Sequence, residues 1–194
     1  MSTIPIFADE SWRLPSRGRV GMISLIIGES AIFTIFVVAY IYYIGRSLYG
    51  PSPKILEVPI FNSICLLSSS LTIVLAEHAI QHGNIRKFAA LWGLTILLGL
   101  EFLAGTAIEW RKLIVDDHFN IHTNLFGTTF YSLVGLHATH VVVGLIGLSL
   151  VMLFTLMGRV NRSHAERIQV LALYWHFVDA VWVVVFTVVY IVGR

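Results

Sequence analysis

Five stretches of the chain carry apolar side chains with few charges: about Val20 to Ile44, Ile60 to Ile80, Phe88 to Trp110, Leu125 to Leu156 and Ile168 to Val192. A hydrocarbon core ~30 Å thick takes roughly 20 residues of helix, so each run is long enough to cross it. In lipid the backbone N–H and C=O groups find no water, and a helix satisfies them within one segment. The pattern therefore predicts an all-α integral membrane protein, a bundle of five transmembrane helices. Residues 1–19 read as an N-terminal segment, and residues 20–194 as one membrane domain with spans at about 20–44, 60–80, 88–110, 125–156 and 168–192. The first run, about 25 residues, exceeds a signal-peptide core and is expected to be retained as a span. The fourth is longer than a bilayer requires, so it must tilt or project beyond the lipid.

The connections carry helix-stopping residues. Gly50-Pro51-Ser52-Pro53 cannot continue a helix, and Gln81-His82-Gly83-Asn84 contains the Gly and Asn of a helix stop. Asp116 to Asn120 reads as a polar loop and Arg159 to Arg167 as a charged one. No internal repeat, low-complexity tract or soluble domain is evident.

Composition agrees with lipid as the main solvent: 57% of residues are hydrophobic and 12% charged, with mean hydropathy +0.81. The formal charge of +2 and the scattered cations give no basic arm, so nucleic acid is excluded as the partner. Asp9 and Glu10 precede the first cations. Of the 13 Lys and Arg, eight (Arg13, Arg17, Arg19, Arg86, Lys87, Arg159, Arg162, Arg167) fall on one side of the predicted membrane. Five (Arg46, Lys54, Arg111, Lys112, Arg194) fall on the other, which favours a cytoplasmic N-terminus and an outer C-terminus. The single cysteine, Cys65, lies inside an apolar run and reads as inert packing.

Candidate chemistry lies in the polar groups at membrane depth, each of which costs at least ~2.5–3.5 kcal/mol on insertion scales unless it faces protein or water. Glu29, within Gly28-Glu29-Ser30, and Glu101 are well inside the first and third spans; Glu109, Glu77 and His78 sit near span ends. A carboxyl in low dielectric favours its neutral form and trades a proton only where water reaches it. Glu29 therefore reads either as a proton-exchanging carboxylate or as an acid hydrogen-bonded across a helix interface, and Glu101 mainly as the latter. His137 and His140 in the fourth span, and His176 and Asp179 in the fifth, are each spaced i, i+3 and share a helix face. Two readings follow: a metal site, or polar contacts between helices with His176 paired to Asp179. Gly93, Gly99, Gly105, Gly144, Gly147 and Ser68-Ser69-Ser70 allow close helix approach. Trp110, Tyr131, Trp175, Trp182 and Tyr190 are either headgroup anchors or aromatic packing.

Several stretches, in order, resemble one family. Tyr174-Trp175-His176-Phe177-Val178-Asp179-Ala180-Val181-Trp182, followed by Phe186 and Tyr190, is similar to the last-helix signature of subunit III of the haem-copper oxygen reductases, the cytochrome c and quinol oxidases. Gly135-Leu136-His137-Ala138-Thr139-His140-Val141 with Gly144 resembles that family's glycine-histidine helix. Asn62 and Ser68-Ser69-Ser70 after Pro59 are similar to its asparagine and serine run; Gly99, Phe102, Glu109 and Trp110 follow its next span. Gly21-Met22 through Glu29 to Phe33 matches the helix that carries its membrane carboxylate. Departures are Thr106 where Gln or Glu is common, Glu101 at an often aromatic position, and Ala138 for a frequent Gly.

The resemblance implies the short, five-helix bacterial form, lacking the first two helices of seven-helix members. It implies a subunit that binds no haem or copper and does no oxygen chemistry, packs on the catalytic subunit I beside subunit II, holds phospholipid and supports proton uptake. Haem and copper are then expected in subunit I, and the location is the bacterial inner membrane. Glu29 matches the family's buried carboxylate; His137, His140, His176 and Asp179 match signature positions with a structural role, and Glu101 and Glu109 are grouped with them as polar helix contacts. Three rivals remain at this point: the related accessory protein of nitric oxide reductases, a small membrane metalloenzyme using His137, His140, His176 and Asp179, and a proton-coupled carrier using Glu29 and Glu101.

Overall fold

A computed structural model describes residues 16–44 and 56–192. Asp9, Glu10, Arg13, Arg46, the Gly50–Pro53 break, Lys54 and Arg194 lie outside the described residues. Among those described, the secondary structure is helical and five helices are long and apolar enough to cross a membrane. They are α1 (Arg17–Tyr43), α2 (Ile60–Gln81), α3 (Ile85–Val115), α4 (Leu125–Leu156) and α5 (Ala165–Phe186), the last preceded by a 3₁₀ turn at Arg162–His164 and continued by a π-helical turn at Thr187–Val192.

Side-chain caps set several starts. Ser16 Oγ accepts the Arg19 N–H, Asn84 Oδ1 the Lys87 N–H, and Asn124 Oδ1 the Gly127 N–H, each satisfying a donor that has no partner within its helix. Two findings differ from the sequence expectation. The charged loop expected over Arg159 to Arg167 is largely helical, because Asn161 caps a 3₁₀ turn that runs straight into α5. The polar loop after α3 extends to Asn124, anchored by Phe119, which is fully buried and whose carbonyl accepts the Tyr131 hydroxyl at 2.8 Å.

Helices α2 and α3 form a tight hairpin, turned at Gly83 with φ of +74°, a left-handed conformation that glycine adopts at little cost. From there α3 packs on α4, α4 on α5, and α5 back on α2, so these helices close a ring of four. Helix α1 stands outside the ring and touches α4 and α5. At ~1.5 Å per residue the 31 residues of α3 and the 32 of α4 exceed a 30 Å core.

Inside the ring the fit depends on small residues. A Cβ added at Gly99 of α3 or Gly144 of α4 would lie 2.8 Å from the Trp175 ring, so the indole of α5 is clamped between two bare backbones. Trp175 is fully buried there. Trp92 bridges the neighbouring contact, its indole N–H donating to the Leu148 carbonyl at 2.9 Å. The aromatic alternatives left by the sequence resolve accordingly: Trp175, Trp182, Tyr131 and Tyr190 are interior packing and Trp110 is half-buried.

Candidate functional site

Glu29 lies near the midpoint of α1 and His140 near the midpoint of α4, and the two meet. His140 Nε2 is 3.1 Å from Glu29 Oε2, and His140 Nδ1 is 2.8 Å from the Leu136 carbonyl. A carbonyl only accepts, so Nδ1 carries a hydrogen and donates it. With Nδ1 donating, a hydrogen bond between Nε2 and Oε2 requires one shared proton. It is held either by a neutral carboxylic acid donating to imidazole or by an imidazolium donating to carboxylate. Both arrangements leave the pair neutral, which lowers the cost of placing two ionisable groups at mid-membrane depth. The Phe33 ring lies 4.9 Å from that of His140, and Tyr174 donates to the His140 carbonyl at 3.3 Å, so α5 buttresses the pair from behind. Glu29 keeps 26% of its side-chain surface exposed against 13% for His140, so the carboxyl is the more exposed end of the pair.

A second polar row joins α2 to α5. Trp175 Nε1 donates to Ser69 Oγ at 2.8 Å and Trp182 Nε1 to Ser63 Oγ at 3.1 Å. Between them Ser70 Oγ donates to Asp179 Oδ2 and stands 3.1 Å from His176 Nδ1. The expected direct pairing of His176 with Asp179 is thus replaced by a bridge through Ser70, whose hydroxyl gives its hydrogen to the carboxyl and accepts from the imidazole. The match follows from helix geometry: Ser63 and Ser69 are six residues apart and Trp175 and Trp182 seven, about 9 and 10 Å along two antiparallel helices, so both indoles reach a hydroxyl. Sequence reading took Ser68-Ser69-Ser70 as residues that allow close helix approach and did not single out Ser63; the near-equal spacing of serines and tryptophans was the available signal.

The other candidates lie apart from both rows. His137 is fully buried, stacked on Trp182 at 5.0 Å with the Phe102 ring edge-on at 5.7 Å, and its ring nitrogens have no partner among the described residues. Glu109 accepts the Tyr190 hydroxyl at 3.0 Å, which ties α3 to the π-helical turn. Thr106 bonds its own helix through the Phe102 carbonyl and takes no part in that contact. Glu101 faces the α2–α3 side, beside Cys65, with Oε2 buried and unpartnered. His140 is thus engaged by Glu29, His176 and Asp179 by Ser70, and His137 by aromatic rings. No group of three or more His, Cys, Asp or Glu that could hold a metal ion occurs among the described residues. Glu29 and Glu101, which a carrier would have to use together, contact different helices.

The arrangement can be compared with known proteins. Residues 15–194 match the family described as Cytochrome c oxidase subunit III. A relative named cytochrome c oxidase subunit 3 from Alkalihalophilus pseudofirmus is 36% identical over 169 residues, covering 86% of this chain and 82% of the relative. One of the same name from Bacillus sp. strain PS3 is 31% identical over 195 residues, covering 98% of this chain and 94% of the relative. A vertebrate protein of that name, from Coturnix japonica, is 31% identical over 186 residues, with 89% of this chain and 68% of the relative aligned.

Proposed function

Since the chain belongs to the cytochrome c oxidase subunit III family, we propose that it is the non-catalytic third subunit of a proton-pumping terminal oxidase, seated on the subunit that holds haem and copper. The observation that carries this reading is the similarity over nearly the whole chain, residues 15–194. In this reading the membrane is the bacterial inner membrane, with the N-terminus on the cytoplasmic side as the Lys and Arg distribution favours. Subunit II and phospholipid complete the surroundings of the bundle.

The chain's contribution follows from its two polar rows. The serine-tryptophan row makes a ring of four helices that holds its shape in lipid, and this ring serves as a rigid wall for the catalytic subunit. The Glu29–His140 pair holds one proton at mid-membrane depth on the outward flank of α1. A group so placed exchanges protons with water or a partner beside α1 and returns to the same neutral pair afterwards. That is the property needed of an accessory carboxyl that keeps proton uptake supplied during turnover.

Purification in mild detergent tests the subunit reading: a larger haem-bearing membrane protein is expected to accompany the chain in fixed ratio. Recovery of the chain alone, transporting a solute in liposomes or carrying stoichiometric iron or zinc, would contradict it.

A further inference from the structure

A polar concavity lies away from the Glu29–His140 pair, between the start of α2 and the second half of α3. It encloses about 560 Å³ and is lined by Glu57, Asn62, Glu101, Gly105, Glu109 and Lys112 among others. Along α3, Glu101 and Lys112 are eleven residues apart, about 16 Å of helix, so the cleft runs from mid-membrane depth to the helix end. Its outer end carries the ion pair between Lys112 Nζ and Glu57 Oε1 at 2.5 Å, with both side chains more than half exposed. At its inner end the Oε2 of Glu101 is buried, with no partner among the described residues. Asn62 reaches in from α2 across Gly105, where an added Cβ would come within 2.1 Å of the amide, and the amide bonds no other described residue. A lipid chain here would leave the carboxyl and the amide unsatisfied in hydrocarbon. Water would not: the space holds several molecules, and polar partners recur along its length.

We propose that this cleft is a water-filled inlet through which the Glu101 carboxyl exchanges a proton with the aqueous phase at the C-terminal end of α3. The proton leaves the acid for cleft water and is replaced from it. The titratable groups facing this path are Glu57, Glu109, Lys112 and Asp117 along the cleft and Cys65 beside Glu101. Three carboxyl groups besides Glu101, those of Glu57, Glu109 and Asp117, against one lysine bias the inlet towards a negative potential that admits cations ahead of anions. The inference does not depend on the role given to Glu29, which lies against α4.

The test is made on the assembled complex with Cys65→Ser as background. Ala104→Cys lines the cleft and is exposed, whereas Leu100→Cys, one turn inward, points from an exposed, apolar position. Thiols react as thiolates, which form in water and not in lipid, so a water-soluble cationic methanethiosulfonate should modify Ala104→Cys at least about tenfold faster than Leu100→Cys. It should also outpace its anionic counterpart there. Equal rates at the two positions would overturn the proposal. In parallel, the carboxylic-acid stretch that disappears in Glu101→Gln should shift promptly on transfer to D₂O in the infrared. A Glu101 band insensitive to D₂O would overturn it equally, and the thiol measurement stands even where Glu101→Gln fails to assemble.

Discussion

Helices α1 and α5 are almost equally apolar, with mean hydropathies of 2.2 and 1.9 over their most apolar windows, yet 6% of the first window and 39% of the second is buried inside the bundle. In water such a difference in burial would follow hydrophobicity. In lipid it cannot, because hydrocarbon solvates leucine as well as a protein interior does, so packing and interhelical hydrogen bonds choose the partners. Helix α5 carries the means: Trp175 and Trp182 donate to α2 serines, Asp179 and His176 share Ser70, and Gly99 and Gly144 open a slot for an indole. Helix α1 has fewer. Phe33 and Tyr40 are its buried residues, a Cβ at Gly21 or Gly28 would meet nothing, and its polar contact across the bundle is Glu29 with His140. One helix is thus built to hold the bundle, and the other to present a carboxyl at its edge.

Substitutions should separate the two helices most sharply at Trp175. Trp175→Ala empties the glycine slot and is expected to cost about 3–5 kcal/mol, read as a lowered unfolding midpoint in detergent and loss of the subunit on purification. Filling the slot from the other side is the smaller insult: Gly144→Val drives two methyls at a rigid ring and should cost about 1–3 kcal/mol in the same assay. Ser70→Ala removes the bridge and leaves Asp179, whose Oδ1 has no partner among the described residues, with neither oxygen bonded to them. A loss of about 1 kcal/mol is expected, within the range of interhelical hydrogen bonds in membranes. At the other extreme, Val38→Ala on the 59%-exposed face of α1 should change the unfolding midpoint of the isolated chain by less than about 0.5 kcal/mol. A loss as large as that of Ser70→Ala would remove the contrast between the helices.

How much of this was legible beforehand depended on the kind of constraint. Five spans followed from the sequence because lipid leaves backbone groups one local solution, and Gly83 and Asn84 mark the α2–α3 turn as plainly in the chain as in the fold. Ends were less legible. Helix α3 continues through Arg111 and Lys112 to Val115, since a charged turn at the membrane edge is stable in water and leaves no apolar trace. The pairings were the least accessible: Glu29 with His140 and Ser70 between His176 and Asp179 depend on which helices are neighbours, and local pattern does not encode that. The i, i+3 spacing of His176 and Asp179 placed them correctly on one face but could not show that a second helix inserts a hydroxyl between them.

The half-buried carboxyl of α1 is where the functional account is most directly at risk. Glu29→Gln is nearly isosteric and can still hydrogen-bond to His140, but it removes the proton shared by the pair. Measured on the purified oxidase, it should leave subunit composition and haem spectra unchanged while altering the lifetime of activity under sustained turnover and the protons taken up per electron. Wild-type inactivation kinetics and proton stoichiometry in that variant would contradict the assignment of Glu29 as a working proton-exchange group.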